Sequence, residues 1–272
     1  MKFIKGITFA PFYRKNTLNT EQARESFDYM IENTGADFVI LAPGGLQDTA
    51  HSEEICYSSN ATFSDEELAD MICYAKKKGV RVGLKPTVHY AEIAQKEECD
   101  MLIAGCEMVM SEHREKEWRE VIAAIRECYD GTVSYNTDKY QEDRVKWWDC
   151  VDVISSSGYY PIQDWEQELD RIEAVVKAYH KPFFFAEAGC MSRTGSKHVP
   201  NNWGIEGKLR LEEQVEWYTT MFESCRKREW MQGYGLWEWA PAVPSAKQAY
   251  KDDSYQICQK PVQEIIKKYY KE

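Results

Sequence analysis

Short apolar runs alternate with amphipathic stretches from one end of the chain to the other. Runs at 3–9, 38–43, 81–86, 101–106, 132–136, 151–155, 183–186 and 233–239 read as strands. Several are continuously apolar, such as Phe38-Val39-Ile40-Leu41-Ala42 and Pro182-Phe183-Phe184-Phe185-Ala186. That pattern belongs to strands buried on both faces, because a strand with one wet face alternates instead. Between the runs, apolar residues recur at helical spacing, as Phe27, Met30 and Ile31 do. Asn19 or Thr20 can cap that first helix and Gly35 closes it. Ser64 with Glu67 three residues on is a capping box that opens a second helix, and Gly79 ends it after three lysines. Further helices are expected at 112–130, 164–180, 211–227 and 260–271.

Strand and helix in strict alternation imply a parallel sheet covered by helices. Eight strand-helix units in 272 residues fit a (β/α)8 TIM barrel, a fold of about 250 residues. The competing architecture, a doubly wound open sheet, loses support because no GxGxxG or GxxxxGK[ST] follows the first strand. No linker, repeat or low-complexity segment divides the chain, so residues 1–272 are expected to form a single catalytic domain. The third unit is anomalous. Val88-His89-Tyr90-Ala91-Glu92-Ile93-Ala94 leaves almost no loop between the third strand and its helix. Either that third βα loop is unusually short by nature, or residues are missing between Pro86 and Met101.

Composition narrows the class. Hydrophobic residues make up 43% and charged residues 29%, as in globular proteins. With 34 Lys and Arg against 45 Asp and Glu the net charge is −11, which excludes the basic footprint that nucleic acids or anionic membranes require. No apolar run approaches the ~20 residues that span a bilayer. The opening Met1-Lys2-Phe3-Ile4-Lys5-Gly6 has neither a long apolar region nor a small-residue cleavage site, so no secretory leader is expected. Nine scattered cysteines without CxxC spacing fit free thiols and a cytoplasmic location. Nine Trp and 17 Tyr against 10 Phe suit flat apolar surfaces rimmed with hydrogen bonds, the kind a sugar ring complements, although core packing accounts for many of them.

In a TIM barrel the chemistry lies at the carboxyl ends of the strands. Two carboxylates stand there directly after apolar runs: Glu107 after Met101-Leu102-Ile103-Ala104-Gly105-Cys106, and Glu187 after Phe183-Phe184-Phe185-Ala186. A strand-end Glu is partly desolvated at a cost of several kcal/mol unless paired or used. One alone reads as a structural salt bridge; two, at strands four and seven, point to glycoside hydrolysis. There one carboxyl group protonates the leaving oxygen while the other attacks the anomeric carbon or activates water. Metal chemistry finds no HxH or HExxH among the five His. Cys190 and Cys106 lie beside the two Glu but in no nucleophile elbow, and an aldolase-type Lys is missing from strands six and seven. No cofactor is expected.

The same residues resemble glycoside hydrolase family 113, the endo-β-1,4-mannanases of the retaining clan A barrels. The resemblance rests on Ile103-Ala104-Gly105-Cys106-Glu107-Met108; on Trp148-Asp149-Cys150-Val151-Asp152-Val153-Ile154 leading to Tyr159-Tyr160-Pro161; on Lys181-Pro182 through Glu187-Ala188-Gly189-Cys190-Met191-Ser192; and on Gly235-Leu236-Trp237-Glu238-Trp239 before Ala240-Pro241. It runs from about residue 3 to 241. It implies Glu107 as general acid/base, Glu187 as nucleophile, and Tyr159 as hydrogen-bond partner of the nucleophile. Trp237 and Trp239, with Glu238 between them, are expected to face the same way along strand eight and to offer a stacking floor. Trp203 flanks a subsite or staples its loop; Asn136 and Asp138 bind sugar hydroxyls or make a turn; Lys85 points to the mouth or to solvent.

Two features depart from the pattern. Cys106 replaces the Asn that clan A enzymes place before the acid/base, and the third loop lacks the long segment with a Trp-Arg pair. The expectation is a cytoplasmic retaining hydrolase of β-mannan or manno-oligosaccharides. The alternatives are a barrel enzyme acting on another β-1,4-glycan and a carbohydrate-binding barrel that has lost catalysis. Oligomeric state and endo or exo action stay open.

Overall fold

The computed structural model describes residues 1–49, 52, 54–85 and 90–272. Eight parallel strands close into a barrel in sequence order: β1 (Ile4–Phe9), β2 (Phe38–Leu41), β3 (Arg81–Leu84), β4 (Met101–Cys106), β5 (Thr132–Thr137), β6 (Val153–Ser157), β7 (Phe183–Ala188) and β8 (Met231–Trp239). Around it run α1 (Glu21–Thr34), α2 (Asp65–Lys77), α3 (Ala91–Lys96), α4 (Glu115–Cys128), α5 (Trp165–Tyr179), α6 (Leu211–Cys225), the short α7 (Ala246–Ala249) and α8 (Pro261–Lys271). This is the expected TIM barrel. Among the described residues no helix is long and apolar enough to cross a membrane.

The helix ends follow the local chemistry. Thr20 accepts from the Ala23 amide at 3.1 Å, and Gly35 closes α1 at φ 77°, a conformation that costs a glycine little. The Ser64–Glu67 box opens α2 with both reciprocal bonds formed. Only α4 starts late, at Glu115 rather than near 112. The Glu112 carboxylate turns inward to accept from Tyr135 (2.7 Å) and Thr137 (2.6 Å), which takes its residue out of the helix.

The core has two layers. Between barrel and helices lies a continuous apolar shell, including Trp147, Trp148, Trp165, Trp217 and Trp239. Inside the barrel, Ile4, Phe38, Ile40, Met101, Ile103, Val153, Phe184 and Ala186 fill the lumen. Large side chains face glycines there: a Cβ on Gly235 would sit 2.2 Å from Ile40 Cδ1. Above this plug the inward positions turn polar (Thr8, Lys85, Asn136, Ser155, Ser157), and the mouth begins. The third unit is short: β3 ends at Leu84 and α3 has six residues. The minimal loop expected at Val88 and His89 lies outside the described residues.

Candidate active site

Irregularities in strand register surround the mouth, and three of them bear on the site. Between β4 and β5, Ile103 pairs with Ser134 and Cys106 with Asn136, so β4 carries one extra residue. Between β6 and β7, Ser156 pairs with Phe185 and the adjacent Ser157 with Glu187. Between β1 and β8, Ile7 pairs with Leu236 but Phe9 with Trp239. Each is a β-bulge, which re-aims the side chains beyond it. These bulges turn Cys106 with Glu107, Glu187 and Trp237 toward one cavity.

That cavity, about 480 Å³, is lined by Phe12, Cys106, Glu107, Asp138, Tyr159, Glu187, Asn201, Trp203 and Trp237. A second lobe of about 350 Å³ shares Phe12, Cys106, Glu187 and Trp237 and adds Tyr13, Gly44, Gly45, Leu46 and Lys85. The lobes form one cleft with Glu187 at its waist and Glu107 in the first lobe. Phe12 stands 79% exposed over the cleft, its ring 5.5 Å from that of Trp237.

The two carboxyl groups have different surroundings. Glu187 Oε1 accepts from the Lys85 ammonium and from the Cys106 thiol at 3.3 Å, while Oε2 accepts from the Tyr159 hydroxyl at 2.9 Å. Burial pushes the Tyr159 hydroxyl and the Cys106 thiol well up, so both remain protonated donors. Burial alone would lower Lys85, but the negative groups about it, Glu187 and Glu107 among them, outweigh that and raise it. Glu107 lies just past β4 in the left-handed region, at φ 52°, its amide bonded to the Asn136 carbonyl at 2.7 Å. A non-glycine residue held there is one whose surroundings over-determine it. Its carboxyl group accepts from Ser157 Oγ. Burial, then the charge of Glu187, pushes Glu107 up to about 7.

The expected site residues divide. Glu107, Glu187, Tyr159, Asp138, Trp203 and Trp237 line the first lobe. Lys85 is neither a solvent lysine nor free in the mouth; it is buried against Glu187. Asn136 is fully buried, its amide donating to Ser157 Oγ (3.0 Å) and Cys106 Sγ (3.3 Å), so it lies beneath the floor rather than at a sugar hydroxyl. Trp239 is a correction: it is fully buried, bonds Ser26 Oγ at 3.1 Å and packs beside Tyr29, because the β8 bulge breaks the alternation with Trp237. Trp203 is 58% exposed, its ring 4.7 Å from that of Tyr255, so it both staples its loop and faces the cleft. Sequence reasoning missed Phe12, Asn201 and Ser157. The first two sit in loops without periodicity, and Ser157 extends a strand that the apolar pattern ends two residues early.

The chain matches the profile of Glycoside Hydrolase Family 113 over residues 7–89 and 87–260, two stretches that meet at the short third unit. No curated protein matches it. Among solved structures, a family 113 β-1,4-mannanase complex is 46% identical with TM-score 0.97, covering 100% of this chain and 99% of that one. The family 113 β-mannanase AaManA from Alicyclobacillus acidocaldarius, in complex with ManMIm, is 34% identical with TM-score 0.96, covering 100% and 98%. The Ruminococcus gnavus β-glucuronidase, 13% identical with TM-score 0.67 over 99% of this chain and 50% of that one, shares the fold alone. By profile, identity and full-length superposition, the chain belongs to glycoside hydrolase family 113.

Proposed function

We propose that this glycoside hydrolase cleaves β-1,4-mannosidic linkages in mannan or manno-oligosaccharides with retention of configuration, Glu187 attacking and Glu107 serving as acid and then base. The observation that carries the reading is the unequal setting of two carboxyl groups in one cleft. Glu187 receives three donors, one of them a cation, and these hold both of its oxygens in place within the cleft. Glu107, pushed up to about 7, carries its proton below that pH. The mannan linkage comes from the full-length relatives, which are β-1,4-mannanases.

In the first step a Glu187 oxygen bonds the anomeric carbon, the glycosidic C–O bond breaks, and the leaving oxygen takes the Glu107 proton. In the second, Glu107 takes a proton from water, whose oxygen displaces Glu187 from the sugar. The lobe holding Glu107 and Trp203 receives the leaving sugar, and the lobe beside Lys85 the sugar that is attacked. Asp138 and Trp237 contact substrate directly; Tyr159 acts through its bond to Glu187. Nine unpaired cysteines, Cys56 and Cys128 among the exposed ones, support work in a reducing compartment, the cytoplasm.

Glu187→Ala is expected to abolish turnover of mannohexaose, and Glu107→Ala to reduce it by about 10²–10⁴-fold. Circular dichroism and melting temperature report whether each variant remains folded. A folded Glu187→Ala enzyme with near-normal activity contradicts the assignment. A wild-type protein that binds mannohexaose without cleaving it favours the binding-barrel reading instead.

A further inference from the structure

Lys85 is an expensive residue to place where it is. It follows Gly83 on the inward face just past β3, its side chain is 4% exposed, and its ammonium lies 5.2 Å from the centre of the Trp237 ring. A buried ammonium must be paired, and Lys85 is paired to Glu187, itself 10% exposed at the side chain. Yet in the proposed retaining reaction Glu187 loses its charge halfway, when its oxygen becomes part of an ester bond to the sugar. A static ion pair would at that moment leave a buried cation without a partner.

We propose that Lys85 is a positioning residue for both steps: its ammonium holds Glu187 as the attacking carboxylate, then stabilises the carboxylate that Glu107 becomes once Glu187 is esterified. This rests on the retaining reading above. The charges balance throughout. Before reaction the site holds Lys85⁺, Glu187⁻ and neutral Glu107; in the covalent intermediate it holds Lys85⁺, an uncharged ester and Glu107⁻. The proton lost by Glu107 leaves with the sugar, and the one it later takes from water restores the start. One negative charge thus moves from β7 to β4 past a fixed positive charge.

Among the described residues, the surroundings assign that role to Lys85. Facing Glu107 are Glu187 from β7, Asp138 from beyond β5, the Ser157 hydroxyl and Lys85, of which Lys85 alone is a cation. About Glu187 stand Lys85, the neutral Cys106 thiol, the Tyr159 hydroxyl, Glu107 and, on β8, Glu238. Glu238 accepts from Gln256 at 2.9 Å and is itself pushed up to about 7, chiefly by burial, so it adds negative charge as pH rises through that value.

The test uses the full-length enzyme with 2,4-dinitrophenyl β-mannobioside, whose good leaving group needs no acid and makes breakdown of the intermediate limiting. Wild type is compared with Lys85→Gln, which keeps a donor without charge, Lys85→Met, which supplies an apolar replacement if Gln does not fold, and Lys85→Arg. Two quantities are read: kcat against pH, and covalently bound sugar in acid-quenched enzyme by protein mass. In the uncharged variants the acidic limb of kcat should move up by about 1–3 pH units, because Glu107 has lost its cation. The glycosylated enzyme should accumulate at neutral pH, and Lys85→Arg should restore both readouts. Slower turnover at every pH with an unmoved limb, and no more bound sugar than wild type, would show a structural pair only and overturn the proposal. A wild type that never carries bound sugar and never turns over overturns the retaining reading itself.

Discussion

Glu107 and Glu187 are the same side chain in two environments, and the difference follows from which donors each strand end brings near. Glu187 accepts from an ammonium, a thiol and a phenol; Glu107 accepts from one hydroxyl and is buried near the carboxylates of Glu187 and Asp138, which the Lys85 cation only partly offsets. With Glu107 at about 7, the acid needed for the first step is present below that pH and disappears as pH rises through it. The expected result is a kcat/KM profile on manno-oligosaccharides whose alkaline limb lies near 7, measured at fixed ionic strength. Retention of full activity at pH 9 contradicts Glu107 as the acid. Both Glu were legible in the sequence because each follows an apolar strand run. Lys85 was named but not understood, since nothing in a linear sequence says that a residue past β3 and one on β7 share a pair across the barrel.

At the scale of elements, β-bulges decide what enters the mouth. The extra residue in β8 is why Trp237 lines the cleft while Trp239 is buried with Ser26, although strict alternation would place them alike. The two tryptophans should therefore respond differently to truncation. Trp239→Ala creates a core cavity and should cost about 3–5 kcal/mol in denaturant unfolding, with KM little changed. Trp237→Ala should leave more of the stability and raise KM by up to about tenfold, the worth of one aromatic contact. If Trp239→Ala were the variant to raise KM, the register described for β8 would be wrong. Bulges leave almost no trace in composition, which is why the alternation rule failed there. The β6 boundary failed for a related reason. Ser155, Ser156 and Ser157 break the apolar pattern, yet they continue the strand: Ser155 Oγ donates to the Tyr135 carbonyl at 2.8 Å, and Ser157 faces Glu107.

For the molecule as a whole, the (β/α)8 architecture was legible because apolar strand runs recur along the chain with helical spacing between them, and the caps of α1 and α2 agree with that reading. Its third unit is the compressed one, and the family match divides there. The barrel turns eight separate strand ends into one cleft, where two carboxyl groups with unequal surroundings, Glu187 among three donors and Glu107 pushed up to about 7, are proposed to act on the same bond. The most direct test follows mannohexaose cleavage by proton NMR at early times. The account predicts that the first new reducing end is the β-anomer, which mutarotates afterwards, and that Glu187→Ala gives none. An α-anomer appearing first would mean inversion and would contradict the role given to Glu187.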